Sequence, residues 1–325
     1  MTGQNSSDPR FLTYDQWALV HAEVLVQCDE ALDGVADGIV EDPTLCDFNA
    51  DALVCAADGD SNCLTSRQVS TVYNIFSQLY DSTGLLLFPR LSPGAERQAA
   101  SFGVITGSFQ ATFVDWFRYA VYNNASWDPL SLSGADYTEA DALDDYHGNV
   151  SSFNGDLSGF RDVGAKLLMY HGMADPVVPG EQSQRYYLHV ADEMGLGDGD
   201  LDEFLRYFRI SGGSHCSSGG EGAWAFGQSG PTKDATDSVI DKIVAWVEQG
   251  VAPETLNGTK WNNDDPTQGV AFERAHCRFP YRTTYQSGNP NVTSSWSCEY
   301  IDNWQECGPG STPRLCGSYQ DPTGF

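Results

Sequence analysis

The stretch Lys166-Leu-Leu-Met-Tyr-His-Gly-Met-Ala-Asp-Pro-Val-Val-Pro179 decides the fold class of this chain. Its opening residues, Lys166 to Tyr170, form a short apolar run of the kind that a fully buried strand of a parallel sheet presents. The pair His171-Gly172 marks the end of that run, because glycine and the prolines beyond it favour a loop. The stretch therefore predicts a buried strand that breaks into a loop containing Asp175.

A similar pattern occurs further along the chain. Leu205 to Ser211 is a second strand-like run, and it ends in Gly212-Gly-Ser-His215. A helical segment with Tyr186 and Tyr187 separates the two runs. A later helix closes at Gly250, and its apolar side chains are Val239, Ile240, Ile243, Val244 and Val247. This order predicts an α/β fold with a parallel sheet and flanking helices, in which ligands bind at the C-terminal ends of the strands.

Asp175 and His215 each lie on a loop at the end of a predicted strand. An acid followed by a histidine on such loops is the order of the last two members of an α/β-hydrolase triad. In that triad the histidine takes the proton of a serine hydroxyl and returns it to the leaving group, while a buried carboxylate orients the imidazole. Alone, Asp175 is an ordinary turn residue and His215 an ordinary loop histidine. Together, their order predicts catalysis.

No Gly-x-Ser-x-Gly nucleophile elbow precedes these two residues. Ser108 lies inside the region that we expect to form a lid, and Ser217 and Ser218 follow the histidine in a glycine-rich loop without the strand-turn-helix context of an elbow. Cys216 is a poor nucleophile for His215, since adjacent side chains on extended backbone point apart. We therefore expect the nucleophilic serine to be absent from this sequence and the isolated chain to be inactive.

The overall composition excludes two classes of partner. The chain has 325 residues, of which 41% are hydrophobic, so it can bury a large core. Its 45 acidic and 17 basic residues give a formal charge of −28, which repels nucleic acid and anionic membrane surfaces. No window approaches the ~20 apolar residues that a membrane span requires. We therefore expect neither nucleic acid nor a membrane as a partner.

The cysteines and the glycosylation sequons indicate an oxidising compartment. Short spacings predict local disulfides between Cys28 and Cys46, Cys55 and Cys63, Cys277 and Cys298, and Cys307 and Cys316, which leaves Cys216 over. Asn-x-Ser/Thr sequons, which are glycosylated in the secretory pathway, occur at Asn5, Asn124, Asn149, Asn257 and Asn291. The first residues do not resemble a signal peptide. We expect a secreted, extracellular glycoprotein with an N-terminal segment, and a partner for Cys216, outside this sequence.

An acidic segment punctuated by glycines begins at the first cysteine, and we call it the acidic loop: Cys28-Asp-Glu-Ala-Leu-Asp33-Gly-Val-Ala-Asp37-Gly-Ile39. Carboxylates four residues apart, between glycines that allow tight turns, can present oxygen atoms to a hard cation such as calcium. The spacing does not match an EF-hand. On chemistry alone, a surface loop without a metal explains the segment equally well.

Two capping boxes place helices in the first part of the chain. Thr13 with Gln16 opens a helix that runs to about Gln27, and Thr65 with Gln68 opens another that continues to Tyr80. A further helix is expected near Phe113 to Tyr122. We expect residues 1–28 to form a helix of the α/β domain, residues 29–156 a lid with the acidic loop, and residues 157–325 the C-terminal part of the α/β domain with a disulfide-bonded tail.

These segments together resemble the tannase and feruloyl esterase family. The resemblance extends from about Thr13 to Cys298. It rests on the acidic loop with Glu41-Asp-Pro43 and Cys46-Asp-Phe48, Leu157 to Pro179, Phe204-Leu-Arg-Tyr-Phe-Arg209, Gly212-Gly-Ser-His-Cys216 and Ala245-Trp-Val-Glu-Gln-Gly-Val-Ala-Pro253. Members of that family are secreted esterases with an α/β-hydrolase domain, a large lid that holds calcium, and a Ser-His-Asp triad.

The resemblance implies roles for individual residues. Asp175 and His215 are the expected triad acid and base. Cys216 is expected to bond a cysteine directly before the catalytic serine, in a Gly-Cys-Ser-x-Gly-Gly elbow that this sequence lacks. The calcium ligands implied by the family are the side chains of Asp29, Asp33 and Asp37 and the carbonyl oxygens of Val35 and Ile39. Glu30 is the alternative to Asp29, because the segment before Asp33 is longer by one residue than the family pattern.

The sequence therefore predicts an incomplete α/β-hydrolase with a large lid. The implied enzyme is a serine-type carboxylic ester hydrolase for phenolic esters of the feruloyl or galloyl type, either small or linked to polysaccharide. Aromatic side chains in the lid suit an aromatic acyl group, and they fit a lid core equally well. The alternative is a non-catalytic, calcium-stabilised secreted domain, or a C-terminal subunit that needs an N-terminal partner chain.

Overall fold

A computed structural model describes residues 2–57, 62–80, 86–215, 219–234 and 237–301. The first part of the chain is mainly helical. Its helices are α1 (Tyr14–Cys28), α2 (Glu30–Asp33), α3 (Ser66–Ile75), α4 (Glu96–Ser101), α5 (Ala111–Asp115), which continues as a π-helix over Trp116–Val121, and α6 (Gly134–Ala142). A short antiparallel pair, β1 (Leu79–Tyr80) and β2 (Leu86–Phe88), lies between α3 and α4.

Helix α1 forms where its capping box predicts it. The Thr13 hydroxyl accepts a hydrogen bond from the Gln16 N–H, and the Gln16 side chain accepts one from the Thr13 N–H. One face of α1 is buried, and it consists of Trp17, Val20, His21, Val24 and Cys28. The apolar members of this face pack in one core with Phe48, Phe76 and other residues from the following segments. The prediction of this helix is confirmed.

The second capping box also opens a helix, but the prediction that this helix continues to Tyr80 is wrong. Helix α3 ends at Ile75, and β1 pairs with β2 instead. The Ser77 hydroxyl donates to the Tyr73 carbonyl at 2.6 Å, and the Leu91 N–H donates to the Ile75 carbonyl at 3.2 Å. These bonds satisfy carbonyls at the end of the helix, so the chain can leave it without exposing unpaired backbone groups.

The next part of the chain carries the predicted strand-helix-strand-helix order. Its elements are α7 (Ser158–Asp162), β3 (Leu167–Gly172), α8 (Glu181–Met194), α9 (Asp198–Leu201), β4 (Leu205–Ile210) and α10 (Val239–Gln249). Strands β3 and β4 are parallel, with Leu167 opposite Leu205 and Gly172 opposite Ile210. The parallel arrangement is confirmed. In the part of the chain that the structure describes, this sheet contains these two strands.

The two parallel strands differ in burial. All of β4 is buried, whereas every residue of β3 is half-buried, so the expectation that the first strand is fully buried is wrong. Strand β3 pairs with β4 on one side, and no other strand pairs with it among the described residues. Its side chains therefore keep partial contact with solvent. The strand also includes His171 and Gly172, which the sequence had placed in the loop.

Helix α10 ends as predicted at Gly250, which adopts the left-handed conformation. Its buried face differs from the predicted one, because Val239 and Trp246 are buried while Ile240, Val244 and Val247 are exposed. The Trp246 ring lies beside two cations, 5.6 Å from Lys166 Nζ and 5.5 Å from Arg206 Cζ. Because Arg206 belongs to β4, the face of α10 that carries Trp246 packs toward this strand.

The last described part contains two antiparallel strand pairs that the sequence did not reveal. They are β5 (Thr255–Trp261) with β6 (Val270–Cys277), and β7 (Tyr281–Tyr285) with β8 (Trp296–Tyr300). An isolated bridge between Phe208 and Arg278 connects β4 to this region. A disulfide between Cys277 at the end of β6 and Cys298 in β8 joins the first pair to the second.

Three of the predicted disulfides are present, namely Cys28–Cys46, Cys55–Cys63 and Cys277–Cys298. The predicted Cys307–Cys316 bond and the unpaired Cys216 of the sequence analysis lie outside the described residues. Within the described ranges, no helix is both long enough and apolar enough to cross a bilayer.

Candidate functional site

The loops that follow β3 and β4 meet at the C-terminal edge of the parallel pair. The Ala174 N–H donates to the Gly213 carbonyl at 2.9 Å. Gly172 lies so close to the second loop that a Cβ at this position would be 2.3 Å from the Gly213 carbonyl oxygen. Only glycine permits this approach. The contact brings the segments that carry Asp175 and His215 together.

Asp175 and His215 form a hydrogen bond, with His215 Nδ1 at 2.9 Å from Asp175 Oδ2. The Asp175 side chain is 2% exposed and the His215 side chain is 37% exposed, so the carboxylate is shielded while the imidazole reaches the surface. The other carboxylate oxygen, Oδ1, accepts the N–H groups of Val177 and Val178 at 2.8 and 2.9 Å. These backbone donors fix the orientation in which the carboxylate faces His215.

The pKa of the Asp175 carboxyl lies below its usual value. Burial alone would raise this pKa, but hydrogen bonds from His171, from His215 and from the N–H groups of Val178 and Val177 together lower it by stabilising the anion. Asp175 is therefore ionised at neutral pH. An ionised, oriented carboxylate can fix the tautomer of a neighbouring histidine and stabilise its imidazolium form.

A second histidine contacts the same carboxylate, and the sequence analysis missed it. His171, the penultimate residue of β3, places Nε2 at 3.3 Å from Asp175 Oδ2 and at 3.0 Å from the Val178 carbonyl oxygen. Its Nδ1 lies 2.7 Å from Ser183 Oγ, in the first turn of α8. The signal for His171 in the sequence is its four-residue spacing from Asp175 across the end of the strand.

The serines and the cysteine considered as nucleophiles in the sequence analysis lie in different environments or outside the described residues. Ser108 is exposed. Cys216, Ser217 and Ser218 lie outside the described residues. Ser214, directly before the histidine, donates its hydroxyl to the Gln98 side chain, so this hydroxyl is engaged in holding the loop.

The acidic loop is folded around Asp29. The Asp29 side chain accepts the N–H of Asp37 at 3.3 Å and the N–H of Gly38 at 2.9 Å, so it spans the loop. Burial raises the pKa of Asp29, and these two bonds only partly offset that effect. Glu30 is exposed at the start of α2. Of the two alternatives for the first predicted ligand, Asp29 is the one that lies inside the loop.

Asp33 and Asp37 each accept a backbone N–H two residues ahead, from Val35 at 2.8 Å and from Ile39 at 3.1 Å. Asp33 Oδ2 is buried and has no hydrogen-bond partner in the described structure. Burial raises the pKa of the Asp33 carboxyl to about 7. A shielded carboxylate oxygen without a donor is the chemistry that a hard cation satisfies.

Among the described residues, no group of three or more His, Cys, Asp or Glu side chains is already arranged to hold a metal ion. The calcium site at Asp29, Asp33, Val35, Asp37 and Ile39 therefore stays a prediction. What the described loop supplies toward such a site is a buried carboxylate oxygen without a donor, Asp33 Oδ2.

A buried charge network joins the acidic loop to β4 and β6, and we define it by Glu41, Asp42, Arg209 and Arg274. Arg274 of β6 is 2% exposed. Its guanidinium forms an ion pair with Glu41 and lies 2.7 Å from Asp37 Oδ2. Glu41 also accepts the Ser211 hydroxyl at 2.7 Å, directly after β4. Residues near the loop exit thus contact the strand that leads to His215.

Asp42 completes this network from the other side. Arg209 on β4 donates to both Asp42 carboxylate oxygens, at 3.1 and 3.2 Å. Burial would raise the pKa of Asp42, but the charges of Arg209 and Arg282 hold it below its usual value. The start of the region that we expect to form the lid is therefore anchored to β4 by paired, buried charges.

A family model and the sequences of known proteins match the same family over most of the chain. The family model described as "Tannase and feruloyl esterase" matches residues 4–299. The probable feruloyl esterase B-1 of Neosartorya fischeri is 42% identical over 304 residues, which are 92% of this chain and 56% of that relative. The chain thus spans about half the length of the curated relatives it matches.

Two solved structures from Aspergillus oryzae show the same relationship. An esterase aligns with a TM-score of 0.86 at 39% identity, over 92% of this chain and 59% of that chain. Feruloyl esterase B aligns with a TM-score of 0.84 at 41% identity, over the same shares of both chains. These feruloyl esterases are α/β-hydrolase-like, and this chain shares the corresponding part of their fold.

Proposed function

Since the chain belongs to the tannase and feruloyl esterase family, we propose that it is part of a carboxylic ester hydrolase and supplies the acid and the base of a Ser-His-Asp triad. The observation that carries this proposal is the 2.9 Å hydrogen bond between His215 Nδ1 and Asp175 Oδ2. It lies at the C-terminal edge of the parallel strands, where ligands of α/β folds bind.

The geometry assigns a role to each nitrogen of His215. Because Nδ1 donates to Asp175, proton transfer to and from the reactants falls to Nε2. Nε2 takes the serine proton as the hydroxyl attacks the ester carbonyl, and it returns that proton to the departing alcohol. Water then hydrolyses the acyl-enzyme by the same route. Asp175 remains ionised throughout and stabilises the imidazolium that forms twice in each cycle.

We place the nucleophile on an N-terminal segment outside these 325 residues, because the sequence contains no Gly-x-Ser-x-Gly elbow. A cysteine directly before that serine would bond Cys216, the residue after His215. Such a bond would keep the nucleophile and the base within proton-transfer distance. On its own, the 325-residue chain is expected to be inactive.

The proposed substrates are phenolic esters of the feruloyl or galloyl type, either small or linked to polysaccharide. The names of the relatives, which are feruloyl esterases, support this class. Within the proposed lid, Phe117 and Trp127 are buried and stack with ring centroids 5.0 Å apart, so these two rings form lid core. A cavity of about 340 Å³ lined by Phe109, Leu130 and Tyr137 is large enough for a phenolic ring, but Asp175 and His215 are not among its lining residues, so it does not support the substrate class.

We further propose that the acidic loop binds calcium. The side chains of Asp29, Asp33 and Asp37 and the carbonyl oxygens of Val35 and Ile39 would hold the ion, with Asp33 Oδ2 as the ligand that now lacks a partner. A bound cation would stabilise the ionised form of carboxyl groups whose pKa burial raises. The buried charge network would transmit the resulting order to β4 and β6.

A secreted location is proposed on two grounds. The three disulfides require an oxidising compartment. The sequons at Asn5, Asn124, Asn149 and Asn291 are exposed and therefore accessible to glycosylation.

The test joins the chain to an N-terminal segment that ends in a Cys-Ser elbow and measures hydrolysis of methyl ferulate and methyl gallate. We expect turnover by the fusion and none by the chain alone. His215→Ala and Asp175→Asn should each lower kcat about 10⁴-fold. His189→Ala, on a helix away from the strand-end loops, should leave kcat unchanged. A folded fusion without esterase activity, or full activity in His215→Ala, would refute the proposal. Mass spectrometry of non-reduced peptides checks the bond to Cys216.

A further inference from the structure

We infer that His171 is a positioning residue: its imidazole holds the turn after β3 in the conformation in which the Asp175 carboxylate meets His215. The inference rests on the proposed function, in which Asp175 is the triad acid. It adds a residue that does not touch the reacting atoms but determines where the acid points.

The position of the hydrogen on His171 follows from its neighbours. Nε2 lies 3.0 Å from the Val178 carbonyl oxygen and 3.3 Å from Asp175 Oδ2. A carbonyl oxygen only accepts, and so does an ionised carboxylate, so Nε2 must carry a hydrogen that it shares between the two. Nδ1 then accepts the hydroxyl hydrogen of Ser183 at 2.7 Å when the ring is neutral.

With this tautomer, His171 connects three segments of the chain. It belongs to β3, it binds the turn through Val178 and Asp175, and it binds α8 through Ser183. Val178 is also one of the two residues whose N–H groups hold Asp175 Oδ1. The imidazole therefore holds the carbonyl group of Val178, while the N–H of the same residue holds the Asp175 carboxylate. Loss of the imidazole frees the backbone on the carbonyl side of Val178 and loosens the residue that holds the carboxylate.

The surroundings make these bonds effective. The His171 side chain is 12% exposed and Asp175 is almost fully buried, so water competes weakly for the hydrogen-bonding groups. Oδ2 receives both histidines, but His215 is closer, at 2.9 Å against 3.3 Å. The shorter bond is the one to His215, the proposed base. The longer bond, from His171, restrains the same Asp175 oxygen.

The test reads the tautomer of His215 by NMR of the chain labelled with ¹⁵N-histidine. In the wild type, neutral His215 should carry its hydrogen on Nδ1, and Asp175→Ala should shift the population toward Nε2–H. His171→Leu should produce at least half of that shift. His171→Gln should restore most of the wild-type population, because the glutamine amide can place a donor near the former Nε2 position. His189→Leu is the matched control and should produce no shift, since its ring stacks on Phe153 at 4.7 Å.

The outcomes separate this inference from the proposed function. An unchanged His215 tautomer in Asp175→Ala would refute the acid-base pair and the proposed function with it. A shift in Asp175→Ala without one in folded His171→Leu would refute only the role of His171. If His171→Leu does not fold, Ser183→Ala decides, because it removes the partner of His171 Nδ1. It should shift the His215 tautomer by more than the His189→Leu control does, and no shift would overturn the inference. In the active fusion, His171→Leu should lower kcat about 10-fold to 100-fold at nearly constant KM.

Discussion

Replacement of Arg274 by methionine tests whether the acidic loop depends on the buried charge network. The Arg274 and Glu41 side chains are 2% and 3% exposed. Without the guanidinium, Glu41 retains the Ser211 hydroxyl as a partner, but this hydroxyl carries no compensating charge. Removal of one partner from a buried ion pair costs about 3–5 kcal/mol of folding free energy, because it leaves the other charge uncompensated. For a chain of this length that loss corresponds to roughly 4–7 °C in Tm.

The assay compares urea unfolding of Arg274→Met, Glu41→Gln and the double variant. Arg274→Met should lose about 3–5 kcal/mol, and the double variant should recover most of that loss because the fully buried Glu41 charge is gone and only the half-buried Asp37 carboxylate remains without Arg274. Arg161→Met is the control. Arg161 pairs with Asp162 on the surface, where the side chains are 39% and 64% exposed, so its loss should stay within about 0.5 kcal/mol.

Two results would refute this reasoning. One is a loss below about 1 kcal/mol in Arg274→Met, comparable to that of the surface control. The other is a double variant as unstable as the sum of the single variants, which would mean that the unpaired Glu41 charge is not the cause of the loss. In that case the 3.4 Å contact between Arg274 Cζ and the centroid of the Trp296 ring would be the better explanation.

Three further predictions follow from other contacts. Gly172→Ala should lower both Tm and the kcat of the active fusion, since its Cβ would lie 2.3 Å from the Gly213 oxygen and displace the loop that carries His215, the proposed base. Burial lowers the pKa of His276 to about 4 from 6.5, so at this group the unfolded chain binds a proton first as the pH falls. The stability of the wild type relative to His276→Gln should therefore fall by about 3 kcal/mol between pH 6.5 and 4, and the difference between the two unfolding curves isolates His276 from carboxyl groups with raised pKa, such as Asp33. Chelation should lower the Tm of the wild type and of Asp192→Asn, but not of Asp33→Asn; a wild-type Tm that is insensitive to chelator would contradict the calcium proposal.

The elements that could be predicted are those whose signals are local. Thr13 and Thr65 open helices because their side chains bond backbone groups three residues away, so the signal and the structure occupy the same short window. Strand β5 could not be predicted in this way. It contains Gly258, whose Cα packs against the Ala223 carbonyl, and it is paired with β6 through partners such as Thr255 and Cys277. Such contacts depend on residues that are distant in sequence.

The same distinction applies within the site. Asp175 and His215 could be proposed from the sequence because strand-end loops of a parallel sheet lie at one edge, which makes their order informative. His171 could not, since its role depends on Ser183 and Val178, which only the folded chain brings to its two ring nitrogens. The end of α3 at Ile75 was missed for a similar reason, because a backbone group of a later segment caps that end.

The acidic loop and the loop that carries His215, which the sequence analysis assigns to different domains, both contact β4 or the residue directly after it. Arg209 binds Asp42 near the exit of the acidic loop, and Ser211 binds Glu41 at the start of the segment that leads to His215. A two-residue shift at the end of β4 would therefore break contacts on both sides. Burial of paired charges at this point disfavours alternative registers, because any other register would leave a buried charge unpaired. The strand that leads to the proposed base, His215, is thus also the strand that holds the proposed metal loop in place.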